Sequence, residues 1–105
     1  MPEFSNAFSG LHADRKLDHC ELVRAIRFMI TAEYEAVQLY MQLAESTDNE
    51  LAKKVLADIS NEELEHVGEF QRLLRELSPK DFEFYKEGEE EVEEMIEELK
   101  RNKQQ

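Results

Sequence analysis

The sequence predicts an all-α chain: an antiparallel two-helix hairpin plus a short C-terminal helix, with two copies pairing into a four-helix bundle. Three observations predict it. Glu, Leu, Ala, Lys, Arg, Gln and Met dominate the composition, and all favour helix. Three glycines and two prolines in 105 residues are too few for an all-β chain, which needs turn residues about every 8–12 positions. Two long stretches place apolar residues at alternating steps of three and four, the spacing of helices packed side by side in a bundle. A chain this short buries a modest core alone, so association with a partner is expected.

The elements follow in order. Residues 1–15 (MPEFSNAFSGLHADR) are aperiodic and read as a flexible N-terminal arm. Residues 16–102 form the helical domain and 103–105 a tail. The first helix is expected over about 17–46, with the seam Val23, Ile26, Ile30, Glu33, Val37, Tyr40, Ala44. Thr47 followed by Glu50 fits a capping box, with Asp48 as the alternative N-cap. This short connection returns the second helix antiparallel to the first. That helix is expected over about 49–77, with the seam Ala52, Leu56, Ile59, Glu63, His66, Phe70, Leu73, Leu77. Each helix is about 45 Å long at about 1.5 Å per residue. Gly68, inside the second, carries a cost there and offers room for close helix approach. Ser78-Pro79 ends the second helix and opens the next. Asp81 to Lys86 forms a short turn of helix, Gly88 interrupts, and a third helix runs over about 89–102. Val92, Ile96 and Leu99 share one face of it, and its acidic start and basic end suit the helix dipole. The glutamate-rich run from Glu87 to Glu94 is a solvated face, with weak cation binding as the alternative.

Charge and cysteine content exclude several classes. A net charge of −12 repels phosphate backbones, so no nucleic-acid partner is expected. It attracts cations such as Fe²⁺, Ca²⁺ and Mg²⁺, although solubility alone also explains an acidic surface. Cys20 is the sole cysteine, which excludes a disulfide framework and a thiolate zinc site. No apolar run approaches the roughly 18–20 residues needed to span a bilayer, and no signal-peptide pattern opens the chain. A cytoplasmic, reducing setting is the default expectation.

The chemistry shows where the seams stop being apolar. Glu33 stands in the first seam; Glu63 and His66 stand in the second. A lone buried carboxylate costs several kcal/mol unless paired or neutralised, so three polar residues in clean seams need a common cause. Glu63 and His66 form E-x-x-H, whose side chains leave one helix face about one turn apart. A carboxylate di-metal site in a four-helix bundle uses a Glu from each of two helices and an E-x-x-H from each of two others. This chain carries half of that set. A symmetric homodimer doubles it to four carboxylates and two histidines, and the four negative charges balance two divalent metals. Oxygen donors with imidazole suit iron or manganese, with calcium as a further possibility. We therefore expect Glu33, Glu63 and His66 as metal ligands, against the alternative of a hydrogen-bonded core histidine beside an edge glutamate.

Other residues read more blandly. Tyr40, on the stripe of Glu33, is a core aromatic in one reading and a hydrogen-bond partner of a metal ligand in the other. Glu35, Glu62 and Glu65 face solvent or line an iron access route. His12 and His19 lie outside the seams. Met29, Met41 and Met95 are packing residues, and Cys20 is structural.

The stretch from Ile30 to Leu77 resembles the encapsulated ferritins, of the ferritin-like di-iron carboxylate superfamily. The segments that carry the resemblance are Ala32-Glu33-Tyr34-Glu35-Ala36-Val37-Gln38-Leu39-Tyr40 and Asn61-Glu62-Glu63-Leu64-Glu65-His66. With the C-terminal helix it covers about three quarters of the chain. The resemblance implies a ferritin-like bundle with a ferroxidase centre at the dimer interface. It implies two irons per dimer held by Glu33, Glu63 and His66 of each chain, with Tyr40 beside them. It also implies annular decamers inside an encapsulin nanocompartment, where oxidised iron is stored. Ala32 and Leu39 replace an acidic residue and a tryptophan of the family pattern, which leaves Glu35 as the remnant of its cation access site. The chain closes on Lys103-Gln104-Gln105 rather than a Gly-Ser-Leu type targeting peptide. Truncation, fusion to a shell protein and other recruitment therefore all stay open. The rival readings are a rubrerythrin-like di-iron peroxidase or oxygenase, and a structural helical adaptor stabilised by metal.

Overall fold

A computed structural model describes residues 15–104. The predicted N-terminal arm, including His12, lies outside the described residues apart from Arg15. Three helices follow one another: α1 (His19–Glu45), α2 (Glu50–Leu77) and α3 (Pro79–Lys103). Among the described residues there is no strand, so the all-α expectation holds.

Each helix starts for a local reason. α1 opens on a reciprocal capping box. The Glu21 amide donates to Asp18 Oδ1 at 2.8 Å, and the Asp18 amide donates to Glu21 Oε1 at 3.0 Å. α1 ends at Ser46, whose amide bonds the Leu43 carbonyl and whose hydroxyl bonds that of Gln42. The predicted Thr47–Glu50 capping box does not form. The N-cap of α2 is Asn49, neither Thr47 nor Asp48. Helical geometry begins at Glu50, so only the residue before it reaches the open amide of Ala52, which Asn49 accepts at 2.9 Å. Thr47 Oγ1 instead accepts the Asn49 amide within the turn.

The third helix also differs from expectation. It runs without a break from Pro79 to Lys103, through Gly88, rather than starting at 89. One interior glycine costs about 1 kcal/mol, and good helix formers on both sides offset it. Gly68, expected to admit a close neighbour, has open space around its missing Cβ.

α1 and α2 pack as an antiparallel hairpin. Val23, Ile26 and Leu74 form its core, with Ile30, Phe70 and Leu77 against them. Val37, Ser60 and Val67 are buried further along. The α1 seam is as the spacing predicts. The α2 seam is rotated by about half a step: Ser60, Val67 and Leu74 are buried, whereas the predicted His66 and Leu73 are exposed. The line Glu63–Phe70–Leu77 is common to both. α2 thus carries a second line, Ile59–His66–Leu73, on the side away from the packed seam. α3 leaves the hairpin with no residue buried. The resulting radius of gyration, 18.8 Å, exceeds the roughly 13 Å of a compact chain this size.

Candidate metal centre

Midway along the hairpin the two helices bring three side chains together. Glu33 comes from α1, Glu63 and His66 from adjacent turns of α2, and one ligand atom of each lies within 4.8 Å of the others. His66 Nδ1 stands 3.6 Å from Glu33 Oε2 and 3.5 Å from Glu63 Oε2. These distances are too long for good hydrogen bonds and short enough for all three atoms to share one cation. Their burial differs. Glu33 and Glu63 are largely covered, at 22% and 18% side-chain exposure, and His66 is open at 48%.

The decisive detail is Glu33 Oε2, which is buried and accepts no hydrogen bond among the described residues. A carboxylate oxygen shielded from water without a donor costs roughly 1–3 kcal/mol or more. A metal ion would relieve that cost, because it supplies positive charge where no donor is present. The donors, two carboxylates and an imidazole, fit a divalent first-row metal and do not suit a soft one.

The site also faces an edge that the described residues leave open. In α1, Leu22, Met29, Ala36 and Leu43 recur every seven residues, next to the line of Ile26, Glu33 and Tyr40. Leu22, Met29 and Leu43 are exposed. In α2 the exposed Leu73 and His66 sit beside the Glu63 line in the same relation. The two glutamates therefore lie on central lines, with the packed seam on one side and an open apolar edge on the other.

The remaining predicted residues are not part of the cluster. Tyr40 is half-buried two turns beyond Glu33 on α1, while Glu35, Glu62 and Glu65 are exposed. His19 is the exposed first residue of α1, and Cys20 beside it is exposed rather than structural.

Comparison with known proteins bears on this arrangement. The family profile described as Rubrerythrin matches residues 25–105. The chain belongs to the rubrerythrin family. Within that ferritin-like family its likeness is to encapsulated ferritins. The crystal structure of the encapsulated ferritin domain from Pyrococcus furiosus superposes with a TM-score of 0.76 at 39% identity. That match covers 80% of this chain and 86% of that one. The ferritin-like-encapsulin shell fusion protein of Pyrococcus furiosus is 39% identical over 85 residues, 81% of this chain. The encapsulin nanocompartment cargo protein EncC of Myxococcus xanthus is 42% identical over 79 residues, 75% of this chain. The chain spans only 25% of the first relative's length and 59% of the second's. The α1–α2 hairpin, with its three polar residues, falls almost wholly inside the rubrerythrin-family match. No helix among the described residues is long and apolar enough to cross a membrane.

Proposed function

We propose that two copies of this rubrerythrin-family chain pair along their open edges and oxidise Fe(II) to Fe(III) with O₂. The unpartnered oxygen of Glu33 beside Glu63 and His66 carries this reading. One chain offers two carboxylates, too few to neutralise a pair of divalent ions; a second copy supplies the other two. The exposed lines Leu22–Met29–Leu43 and His66–Leu73 give that copy an apolar surface to cover. Covering it removes His66 from water and dries the site, which strengthens every charge interaction inside.

Iron is the substrate here. Glu33, Glu63 and His66 of each copy bind and orient it, and the carboxylates stabilise the higher charge of the product. Each Fe(II) gives one electron. Two electrons and two protons convert O₂ to H₂O₂, and four of each convert it to two waters. The iron product then leaves for storage. Manganese fits the same donors as an alternative occupant, whereas calcium would use the carboxylates without the imidazole. The relatives' names support an encapsulin compartment and a shell protein as partner; storage of the iron there and annular decamers as the assembled form complete the proposal. The family match favours one second reading, a peroxidase that consumes H₂O₂ in place of O₂.

Anaerobic titration with Fe²⁺ followed by an O₂ pulse tests the proposal. About one iron per chain, dimer formation and rapid ferric absorbance are expected. Iron that binds and never turns over would leave the structural-adaptor reading, and faster turnover with H₂O₂ than with O₂ would favour the peroxidase.

A further inference from the structure

The joint between α2 and α3 is held in an unusual way. α3 buries none of its 25 residues, and a cleft of about 300 Å³ opens between it and α2, bordered by Gly68, Arg72, Phe82 and Glu89. Side-chain packing therefore does little to fix where α3 points. The polar contacts converge instead on one carboxylate. Arg27 of α1 grips Asp81 with two hydrogen bonds, Nε to Oδ2 at 2.9 Å and Nη2 to Oδ1 at 2.7 Å, across 54 positions of sequence. Ser78 at the joint donates its hydroxyl to Oδ1 at 2.9 Å. Tyr85, one turn on in α3, donates to Oδ2 at 3.3 Å.

Asp81 therefore ties together α1, the joint and the first turns of α3. Its side chain is 15% exposed and that of Arg27 49%. The Arg27 hydrogen bonds, more than any other cause, hold the Asp81 carboxyl below its ordinary range. Arg75 of α2, 5.0 Å from the centroid of the Phe82 ring, adds a weaker contact at the same corner.

We propose that the Arg27–Asp81 pair is a latch that sets the direction of α3 relative to the hairpin. Arg27 and Asp81 are positioning residues outside the Glu33–Glu63–His66 cluster. With the latch closed, α3 projects as a stiff arm carrying Val92, Ile96 and Leu99 along it. With the latch open, α3 swings about Ser78. Any consequence for assembly of copies rests on the pairing proposed above; the latch itself does not.

Distance measurement between spin labels tests it. Labels go on Glu69→Cys of α2 and Glu98→Cys of α3 in a Cys20→Ala background, diluted with unlabelled chain so that only distances within one chain are read. The parent should give one narrow distribution. Arg27→Gln should lose it, and Arg27→Lys should fall between, because an ammonium cannot make the paired bonds of a guanidinium. Salt separates a latch from a merely structural role. Raising ionic strength from about 0.05 M to about 1 M should broaden the parent distribution, since Arg27 is half-exposed, and leave Arg27→Gln unchanged. Circular dichroism confirms that each variant is folded. An Arg27→Gln distribution as narrow as the parent's, or a parent distribution indifferent to salt, would overturn the proposal. Neither result bears on iron oxidation, so the two readings fail separately.

Discussion

The hairpin and α3 use helices of similar length, 27 and 28 residues against 25, and are held by different forces. The hairpin is held by packing: Val23, Ile26 and Leu74 are each less than a tenth exposed, and Val37 and Val67 continue the seam. α3 is kept helical by local chemistry and is tied to the hairpin mainly through the Arg27–Asp81 pair. Pro79 sits in its first turn, Asp81 adds a negative charge there, and Lys100, Arg101 and Lys103 answer the dipole at its end. Lys100 also lies 3.6 Å from Glu97. The difference teaches where a functional defect can be carried. An unpartnered buried oxygen such as that of Glu33 is tolerable only where neighbouring seam residues supply surplus packing energy, and α3 has no such surplus.

The largest expected effect breaks that arrangement at its centre. Glu33→Leu replaces the orphaned carboxylate with an apolar group of similar size. Iron oxidation should fall at least about 100-fold, beyond the usual effect of losing a residue that merely supports a ligand. The metal-free chain should gain about 1–3 kcal/mol, because the unsatisfied oxygen is gone. Oxygen consumption and urea unfolding of the same preparation read the two effects. Loss of activity without a gain in stability would mean that Glu33 is not strained in the free chain.

Next comes a pair of neighbours on α2. Leu74→Ala opens a cavity in the hairpin core and should cost about 2–5 kcal/mol. Leu73→Ala, on the open edge, should cost the single chain little, about 0.5 kcal/mol, and should weaken the pairing of copies. Unfolding midpoints at low protein concentration, set beside sedimentation at high concentration, separate the two. If Leu73→Ala left the dimer intact, the open edge would not be the contact between copies.

That pair also shows what was legible in the sequence. The alternating steps of three and four identified both long helices and placed Glu33, Glu63 and His66 on them. They could not decide whether the chain itself or a partner covers each side of a seam. On α2 the lines 60–67–74 and 59–66–73 both flank the Glu63 line, and both are mainly apolar. Only the hairpin's own geometry assigns Val67 and Leu74 to the inside. Local chemistry is ambiguous where cap-forming residues adjoin: Thr47, Asp48 and Asn49 can all cap a helix, and Asn49 does so because it directly precedes the first helical residue. Gly88 does not end a helix, because a lone glycine weakens one without breaking it. The Arg27–Asp81 pair left no local signal, because its partners stand 54 residues apart and neither belongs to an apolar period.

A smaller effect probes α3 through that glycine. Gly88→Ala adds a methyl group with nothing within 4 Å of it, so only the backbone preference changes. Stability should rise by about 0.5–1 kcal/mol. The gain should appear as slower amide exchange within α3 and leave the hairpin amides alone, which is the expectation for a helix held by local terms. Equal slowing in both regions would show that α3 and the hairpin unfold as one unit.

The smallest effect lies at the first turn of α1, where the hairpin relies on local chemistry as α3 does. Hydrogen bonds from Arg15 foremost, then from the Asp18 amide, lower the Glu21 carboxyl from 4.5 to about 2. A folded pKa below the unfolded one means that the stabilisation is complete above about 4.5 and is lost as the pH falls towards 2. Acid should therefore fray the α1 N-terminus within that window, seen as shift changes in the amide signals of Asp18 and Glu21, while the core amides around Leu74 keep their positions. Glu21→Gln should abolish the titration and leave the turn partly frayed at every pH, because an amide oxygen still accepts from Asp18 but no longer attracts Arg15 as an ion. If the core amides titrated together with those of the first turn, the cap would be coupled to the packed seam. The division between a hairpin held by packing and ends held by local charge would then not hold.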